Sequence, residues 1–87
     1  MTDRFRKIMV DYIKEDYSNH YHKDDFLKTI DDDINPHNDW GFDSVDITDM
    51  AMYLELRYCI EISDEEIVSV HNLGELCNLC EEKANNK

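Results

Sequence analysis

Apolar residues recur every three or four positions near the start of the chain, which is the spacing of one face of an α-helix. Charged residues separate the members of this apolar set, which are Phe5, Ile8, Met9, Tyr12, Ile13 and Tyr17. The spacing predicts a first helix over roughly residues 3 to 16, with one side directed at a core.

This periodicity stops between residues 18 and 42, where polar residues, the single proline and one of the two glycines are concentrated. Such a segment is typical of a long connection, and we expect one short helical turn in it at 25 to 30. Its apolar residues are expected to pack onto the core as a lid: Tyr21, Phe26, Leu27, Ile30, Ile34 and Trp40.

A helix start follows at residue 43. Asp43 can cap a helix whose third position is Asp46, and Phe42 and Ile47 can form the hydrophobic staple around it. These residues predict a second helix from Ser44 to about Tyr58.

This second helix is predicted to have two apolar faces, at about 100° per residue. The face expected to join the core comprises Ile47, Met50, Ala51, Leu54 and Tyr58. The opposite face is both apolar and acidic and comprises Val45, Asp49, Met52 and Leu56. Such a face predicts a second burial partner that is basic, with packing of Met52 and Leu56 under the long connection as the alternative.

Capping residues predict two further helices. Ser63 and Glu66 form a capping box for a short helix at about 64 to 69, and Asn72 caps a last helix. The apolar side of that last helix comprises Leu73, Leu76, Cys77 and Cys80. The predicted fold is all-α: a small bundle of three longer helices plus one short helix, with a long loop after the first helix. A chain of 87 residues is long enough for one domain, which we expect to span 1–87.

The charge is unevenly distributed. Asp and Glu number 21 against nine Lys and Arg, for a net charge of -12, and residues 24 to 82 contain 17 acidic residues but only Lys28 and Arg57 as basic ones. This segment disfavours nucleic acid and anionic membranes as partners and favours basic proteins. Because no apolar run approaches about 20 residues and the start lacks a secretory signal pattern, we expect a cytoplasmic monomer with no membrane insertion.

Two patterns suggest metal sites, and each has a simpler interpretation. Cys77 and Cys80, with Cys59 and His71 nearby, could form a zinc site, but two cysteines three residues apart on an apolar helix face are explained by core packing. Asp31, Asp33 and Asn35 begin like a calcium loop, but Pro36 and Phe42 then occupy the positions that need Gly and Glu. We therefore expect no metal site, with loose cation association at 31–33 left open. The loop histidines are expected to be solvated or locally hydrogen-bonded: His20, His22 and His37.

Ser44 is the candidate for chemistry. No base and no oxyanion site accompany it in the sequence, so a catalytic role is not supported. Its hydroxyl instead lies in the first turn of a capped helix, where free backbone N–H groups and the helix dipole favour an anion such as phosphate. The carboxylates of Asp43 and Asp46 oppose that anion.

The segment Trp40-Gly41-Phe42-Asp43-Ser44-Val45-Asp46 resembles the phosphopantetheine attachment motif of acyl carrier proteins, in which Gly-x-Asp-Ser-Leu opens the second helix. The resemblance continues through the acidic second helix, residues 59–66 and the start of the last helix, so it covers residues 40 to about 80. This chain has Val45 where the family has Leu. In the preceding loop, Pro36 and His37 stand in place of an apolar pair.

The resemblance implies that a phosphopantetheinyl transferase attaches 4′-phosphopantetheine to Ser44 and that the arm then holds an acyl group as a thioester. The implied function is an acyl carrier for fatty acid, polyketide or related acyl-transfer biosynthesis, not an enzyme. Two alternatives stay open: a standalone peptidyl or aminoacyl carrier, and an unmodified adaptor protein of the same fold.

The resemblance also implies roles for other residues. Basic-surfaced acyl-transfer or synthase enzymes are expected to be attracted by Asp43, Asp46, Asp49 and Glu55. The apolar centre of that contact is expected to comprise Val45, Met52 and Leu56. An acyl cavity is expected to be lined by Leu54, Ile62, Ile67 and Val70.

Overall fold

The structure, a computed structural model, describes residues 1–16 and 23–86, which form six α-helices and no strand. In chain order the helices are α1 (Asp3–Asp16), α2 (Lys23–Lys28), α3 (Pro36–Asp39), α4 (Ser44–Tyr58), α5 (Asp64–Ser69) and α6 (Leu73–Asn85). Helices α1, α4 and α6 have 13 to 15 residues each, and the others are short. The predicted all-α fold with three longer helices is confirmed.

Helix α1 has the predicted bounds and buries the predicted face. Phe5, Met9 and Ile13 are completely buried, with Tyr12 at 1% exposure. The helix begins where the Thr2 hydroxyl accepts a hydrogen bond from the backbone N–H of Phe5 at 3.1 Å, which satisfies one of the free donors of the first turn. Tyr17, the last residue of the predicted face, lies outside the described residues.

The described part of the segment between α1 and α4, residues 23–43, contains two short helices rather than one turn in a long loop. Helix α2 corresponds to the turn expected at 25 to 30, whereas α3 was not predicted. Asn35 caps α3 by accepting hydrogen bonds from His37 N at 2.9 Å and Asn38 N at 3.1 Å, and Pro36 occupies the first turn. An Asn-Pro pair of this kind is a local helix-start signal.

The apolar residues of this segment cover the core, as predicted. Phe26 and Ile30 are buried, and Leu27, Ile34 and Trp40 are half-buried against the core. Tyr21 falls outside the described part of the chain. The guanidinium of Arg6 donates to the carbonyl oxygen of Ile30 at 2.9 Å, which ties the segment to α1.

Helix α4 lies with its predicted inner face in the core, where Met50, Ala51, Leu54 and Tyr58 are buried. Ile47, the remaining member of that face, is half-buried against the same cluster. The helix ends at Cys59, whose φ of 56° is in the left-handed region that commonly terminates helices.

Helices α5 and α6 begin at the predicted caps. Ser63 Oγ accepts from Glu66 N at 3.1 Å while Glu66 Oε1 accepts from Ser63 N at 3.0 Å, and Asn72 Oδ1 accepts from Glu75 N at 2.8 Å. Cys77 and Cys80 are buried as free thiols in the core, which supports the packing interpretation. Burial raises the pKa of Cys80 to about 12, so its thiol is protonated near neutral pH.

The chain before α3 docks onto the start of α6. Leu73 N donates to Ile34 O at 2.9 Å, and Gly74 N donates to Asp32 O at 3.0 Å. A Cβ on Gly74 would lie 3.0 Å from Asp32 Cβ, so this close approach favours glycine. These contacts hold the residues before α3 against the start of α6.

Candidate functional site

Ser44 is exposed in the first turn of α4. The capping box before it is formed: Asp46 N donates to Asp43 Oδ1 at 2.9 Å, and Asp43 N donates to Asp46 Oδ2 at 3.2 Å. One oxygen of each carboxylate is therefore occupied in holding the helix start. The hydroxyl of Ser44 is presented to solvent by a fixed backbone.

The turn that leads into Ser44 is held by α3. The carbonyl oxygen of Pro36 accepts from Trp40 N at 3.1 Å and from Phe42 N at 3.0 Å. His37 Nδ1 lies 2.7 Å from the carbonyl oxygen of Phe42. The N–H and the carbonyl oxygen of Phe42 are therefore both hydrogen-bonded to residues of α3. Gly41, which precedes Phe42, has a φ of 73°, a value that glycine adopts without strain.

An aromatic cluster supports the same turn from the core side. Trp40 lies 5.2 Å from Phe26 and 5.5 Å from Phe42 between ring centroids, and Phe26 packs edge-on to Phe42 at 5.8 Å. Trp40 Nε1 donates to Thr29 Oγ1 at 2.9 Å, so the polar group of the indole is also satisfied. Helix α2 thereby fixes the residues before Gly41.

A cavity of about 550 Å³ lies beside Ser44, between α3, α4, α5 and the start of α6. Ser44 is part of its wall, and its apolar lining includes Ile47, Met50, Ile67, Val70, Leu73 and Leu76. The floor is apolar because Met50, Leu73 and Leu76 are buried core residues. Exposed polar lining residues form its rim: His37, Thr48, Asp64 and His71.

Two of the four residues expected to line an acyl cavity are in this lining, Ile67 and Val70, and two are not. Leu54 is 1% exposed and lies in the core cluster. Ile62 is half-buried in the connection between α4 and α5, where its N–H donates to Glu55 Oε2 at 2.8 Å. Ile62 also packs against the core cluster that contains Leu54.

No described residue covers the outer face of α4. Val45, Met52 and Leu56 are 64%, 55% and 77% exposed, and Asp49 is exposed among them. In the described ranges, 1–16 and 23–86, the connection before α4 does not cover Met52 or Leu56, contrary to the alternative considered from the sequence. Two of the carboxylates expected at this surface, Asp46 and Glu55, are half-buried, and each accepts a backbone N–H: Asp46 from Asp43 and Glu55 from Ile62.

A comparison with known protein families matches residues 25–80 to the family described as "Phosphopantetheine attachment site". The match spans more than half of the chain and includes most of α2, all of α3 to α5 and most of α6. The chain belongs to the phosphopantetheine attachment site family. It is therefore a carrier domain for groups linked through covalently attached 4′-phosphopantetheine. Carrier domains interact with the transferase that installs the arm and with the enzymes that act on its cargo.

The residues around Ser44 fit this arm. The carrier presents an exposed hydroxyl beside a cavity with an apolar floor, and a Cβ placed on Gly41 would have no atom within 4 Å. Space is therefore open beside Gly41, three residues before Ser44. When bound, the arm supplies a terminal thiol that forms a thioester with the cargo.

The basic residue of α4 is directed away from the acidic outer face of the carrier. The Arg57 guanidinium lies 4.6 Å from the centre of the Tyr53 ring and 3.7 Å from a carboxylate oxygen of Glu15 on α1. The Tyr53 hydroxyl donates to Glu15 at 2.9 Å, and burial and that bond raise the pKa of Tyr53 to about 12. Sequence periodicity did not indicate this cluster, since it depends on how α1 packs against α4.

Within residues 1–16 and 23–86, no three His, Cys, Asp or Glu side chains are grouped so as to hold a metal ion. Asn35, considered as a calcium ligand, caps α3, and Asp31 Oδ1 accepts from Asp32 N at 2.6 Å. His20 and His22 lie outside these residues. None of the described helices has the length and apolarity to cross a membrane.

Proposed function

We propose that this chain is an acyl carrier protein whose Ser44 bears 4′-phosphopantetheine, serving fatty acid, polyketide or related acyl-transfer biosynthesis. The observation that carries the proposal is the cavity with an apolar floor that lies directly beside the exposed Ser44. A carrier that protects an acyl chain needs an apolar space within reach of the attachment point.

The chemistry expected of Ser44 is that of a substrate. Its hydroxyl oxygen forms a bond to the phosphorus of the pantetheine phosphate of coenzyme A. The bond from that phosphorus to the 3′,5′-ADP portion breaks, and the serine proton passes to a base of the transferase. The carrier's part is to hold the Ser44 hydroxyl in place for the transferase. The capping bonds of Asp43 and Asp46 fix the helix start, and α3 fixes the turn before it. On this account the chain is not an enzyme.

The cavity favours an acyl cargo over an aminoacyl or peptidyl cargo. Each methylene removed from water contributes about 0.8 kcal/mol, whereas a charged ammonium placed near the same apolar floor loses hydration. Ile67 and Val70 on the α5 side and Met50 on the α4 side supply the contacts. The net of 15 negative charges between residues 24 and 82 points in the same direction, because peptidyl carriers are usually less acidic.

The outer face of α4 is the proposed docking surface for the transferase and for basic-surfaced enzymes. Val45, Met52 and Leu56 expose apolar area, and Asp49 is a carboxylate among them that no described cation neutralises. Asp43 and Asp46 add negative charge at the Ser44 end. Glu55, which accepts the N–H of Ile62, adds a carboxylate farther along the same helix.

Intact mass after incubation with coenzyme A and a broad-specificity phosphopantetheinyl transferase tests the carrier against the unmodified adaptor. We expect the phosphopantetheinyl mass on the parent chain and on Ser69→Ala, a control at another exposed serine, and no gain on Ser44→Ala. A parent chain that gains no mass would favour the adaptor.

Cargo is tested by melting. Octanoyl loading of the arm should raise the melting temperature above that of the unloaded holo form, and glycyl loading should not, because only the octanoyl chain buries apolar surface. Equal effects of the two loads would favour the peptidyl or aminoacyl alternative.

The single domain over 1–87, the monomeric state and the cytoplasmic location belong to the same proposal. Gel filtration of the full chain tests the monomer.

A further inference from the structure

His37 occupies a special position at the candidate attachment site. Its Nδ1 lies 2.7 Å from the carbonyl oxygen of Phe42, two residues before Ser44, and its side chain lines the same cavity as Ser44. Two residues of chain span at most about 7 Å. The imidazole therefore lies beside the place where an anion attached to Ser44 would be.

The hydrogen bond to Phe42 determines which ring nitrogen is available. A carbonyl oxygen only accepts, so Nδ1 carries a proton and donates it. In the neutral ring Nε2 is then an acceptor, and on taking a proton from solvent it becomes a second donor on a cationic ring. No described residue is hydrogen-bonded to Nε2. The ring is thus held through one nitrogen and free to bind through the other.

The surroundings of Ser44 contain few other groups that could balance an anion. Arg57 is the only Lys or Arg between residues 29 and 82, and it lies against Glu15 on α1. The start of α4 has fewer free backbone N–H groups for an anion than an uncapped helix would have, because the N–H of Asp46 donates to Asp43. Of the cavity lining, only His37 and His71 can become cationic, and only His37 is hydrogen-bonded to the turn that carries Ser44.

We propose that His37 binds the phosphodiester that links the arm to Ser44: Nδ1 donates to the Phe42 carbonyl, and protonated Nε2 donates to a phosphate oxygen. This inference rests on the proposed attachment at Ser44. It makes His37 a residue that orients the arm at the cavity entrance. The arm is then directed toward the apolar floor rather than repelled by the carboxylates of the capping box.

The test is the ³¹P resonance of the attached phosphodiester, measured as a function of pH. A phosphodiester does not itself titrate near neutrality, so a change of its resonance between about pH 5 and 8 reports a neighbouring imidazole. The other titratable groups around the site are His71 and the carboxyl groups of Asp39, Asp43, Asp46 and Asp64. Intact mass confirms attachment before each measurement.

His37→Asn is the decisive variant, because its side-chain amide can still donate to Phe42 while it cannot become a cation. We expect the ³¹P resonance to move with pH in the parent and in the control His71→Ala, and to be independent of pH in His37→Asn. We also expect a nuclear Overhauser effect between the His37 ring and the pantetheine methylene next to phosphorus.

A pH response that persists in His37→Asn, or that is absent in the modified parent, would overturn this inference and leave the attachment at Ser44 intact. Failure of the parent to gain the phosphopantetheinyl mass would overturn the proposed function, and this inference with it. Both outcomes are read on the same samples.

Discussion

Replacement of Gly41 tests how the turn before Ser44 is built. Gly41 has a φ of 73°, and a Cβ built there would have no atom within 4 Å. Gly41→Ala therefore acts through backbone conformation alone, and an L residue in the left-handed region costs about 1–2 kcal/mol. Restriction of the unfolded chain by alanine offsets about 0.4–1 kcal/mol of this cost. The net loss of about 1 kcal/mol should lower the melting temperature by about 4–8 °C in a domain of this size.

Gly41→Asn is the matched control, because asparagine tolerates the left-handed region better than alanine does. Thermal melts followed by circular dichroism should place its melting temperature between those of Gly41→Ala and the parent. A Gly41→Asn variant as unstable as Gly41→Ala would contradict a purely conformational cost, since the larger side chain would then be meeting an obstacle. The reasoning would also be refuted if Gly41→Ala were as stable as the parent.

Two further predictions concern charge. Asp49→Lys should fold like the parent, because the residue is exposed, yet it should slow phosphopantetheinylation at low salt; Glu82→Lys on α6, with the same change in net charge, should not. Equal rates for Asp49→Lys and the parent would exclude this face from docking. Glu66 accepts the N–H of Ser63 and pairs with Lys83 at 2.9 Å, and the two contacts lower its pKa. A lowered carboxyl pKa stabilises the fold above the unfolded-state value and loses that contribution as pH falls through the folded value. The melting temperature of Glu66→Gln should therefore lie below that of the parent at neutral pH and converge with it in acid; a constant difference would contradict this.

The parts of the fold that the sequence predicts are those with local signals. Capping boxes predict where α4 begins, at Ser44, and where α5 begins, at Asp64. The two residues of each box are only three positions apart in the sequence. The same local logic applies to α3, where Asn35 and Pro36 form a helix start. That helix was not predicted because its four residues, Pro36–Asp39, are too few to show a helical spacing of apolar residues.

The parts that the sequence does not predict depend on tertiary packing. Helical periodicity places Leu54 on the inner face of α4 but does not say whether that face meets the core or the cavity, and the structure places Leu54 in the core. Glu55 and Arg57 are polar residues on one helix, and their partners, Ile62 and Glu15, lie on other segments. The role of His37 also requires α3 to fold back onto Phe42.

Localisation of the modification by peptide mass spectrometry tests whether 4′-phosphopantetheine is attached to Ser44. Because the chain has no Lys or Arg between Lys28 and Arg57, trypsin releases Ser44 within the single peptide 29–57. After incubation with coenzyme A and transferase, we predict the phosphopantetheinyl mass on this peptide, with fragment ions that place it on Ser44. The mass on any other hydroxyl of the chain, or its persistence in Ser44→Ala, would contradict the account.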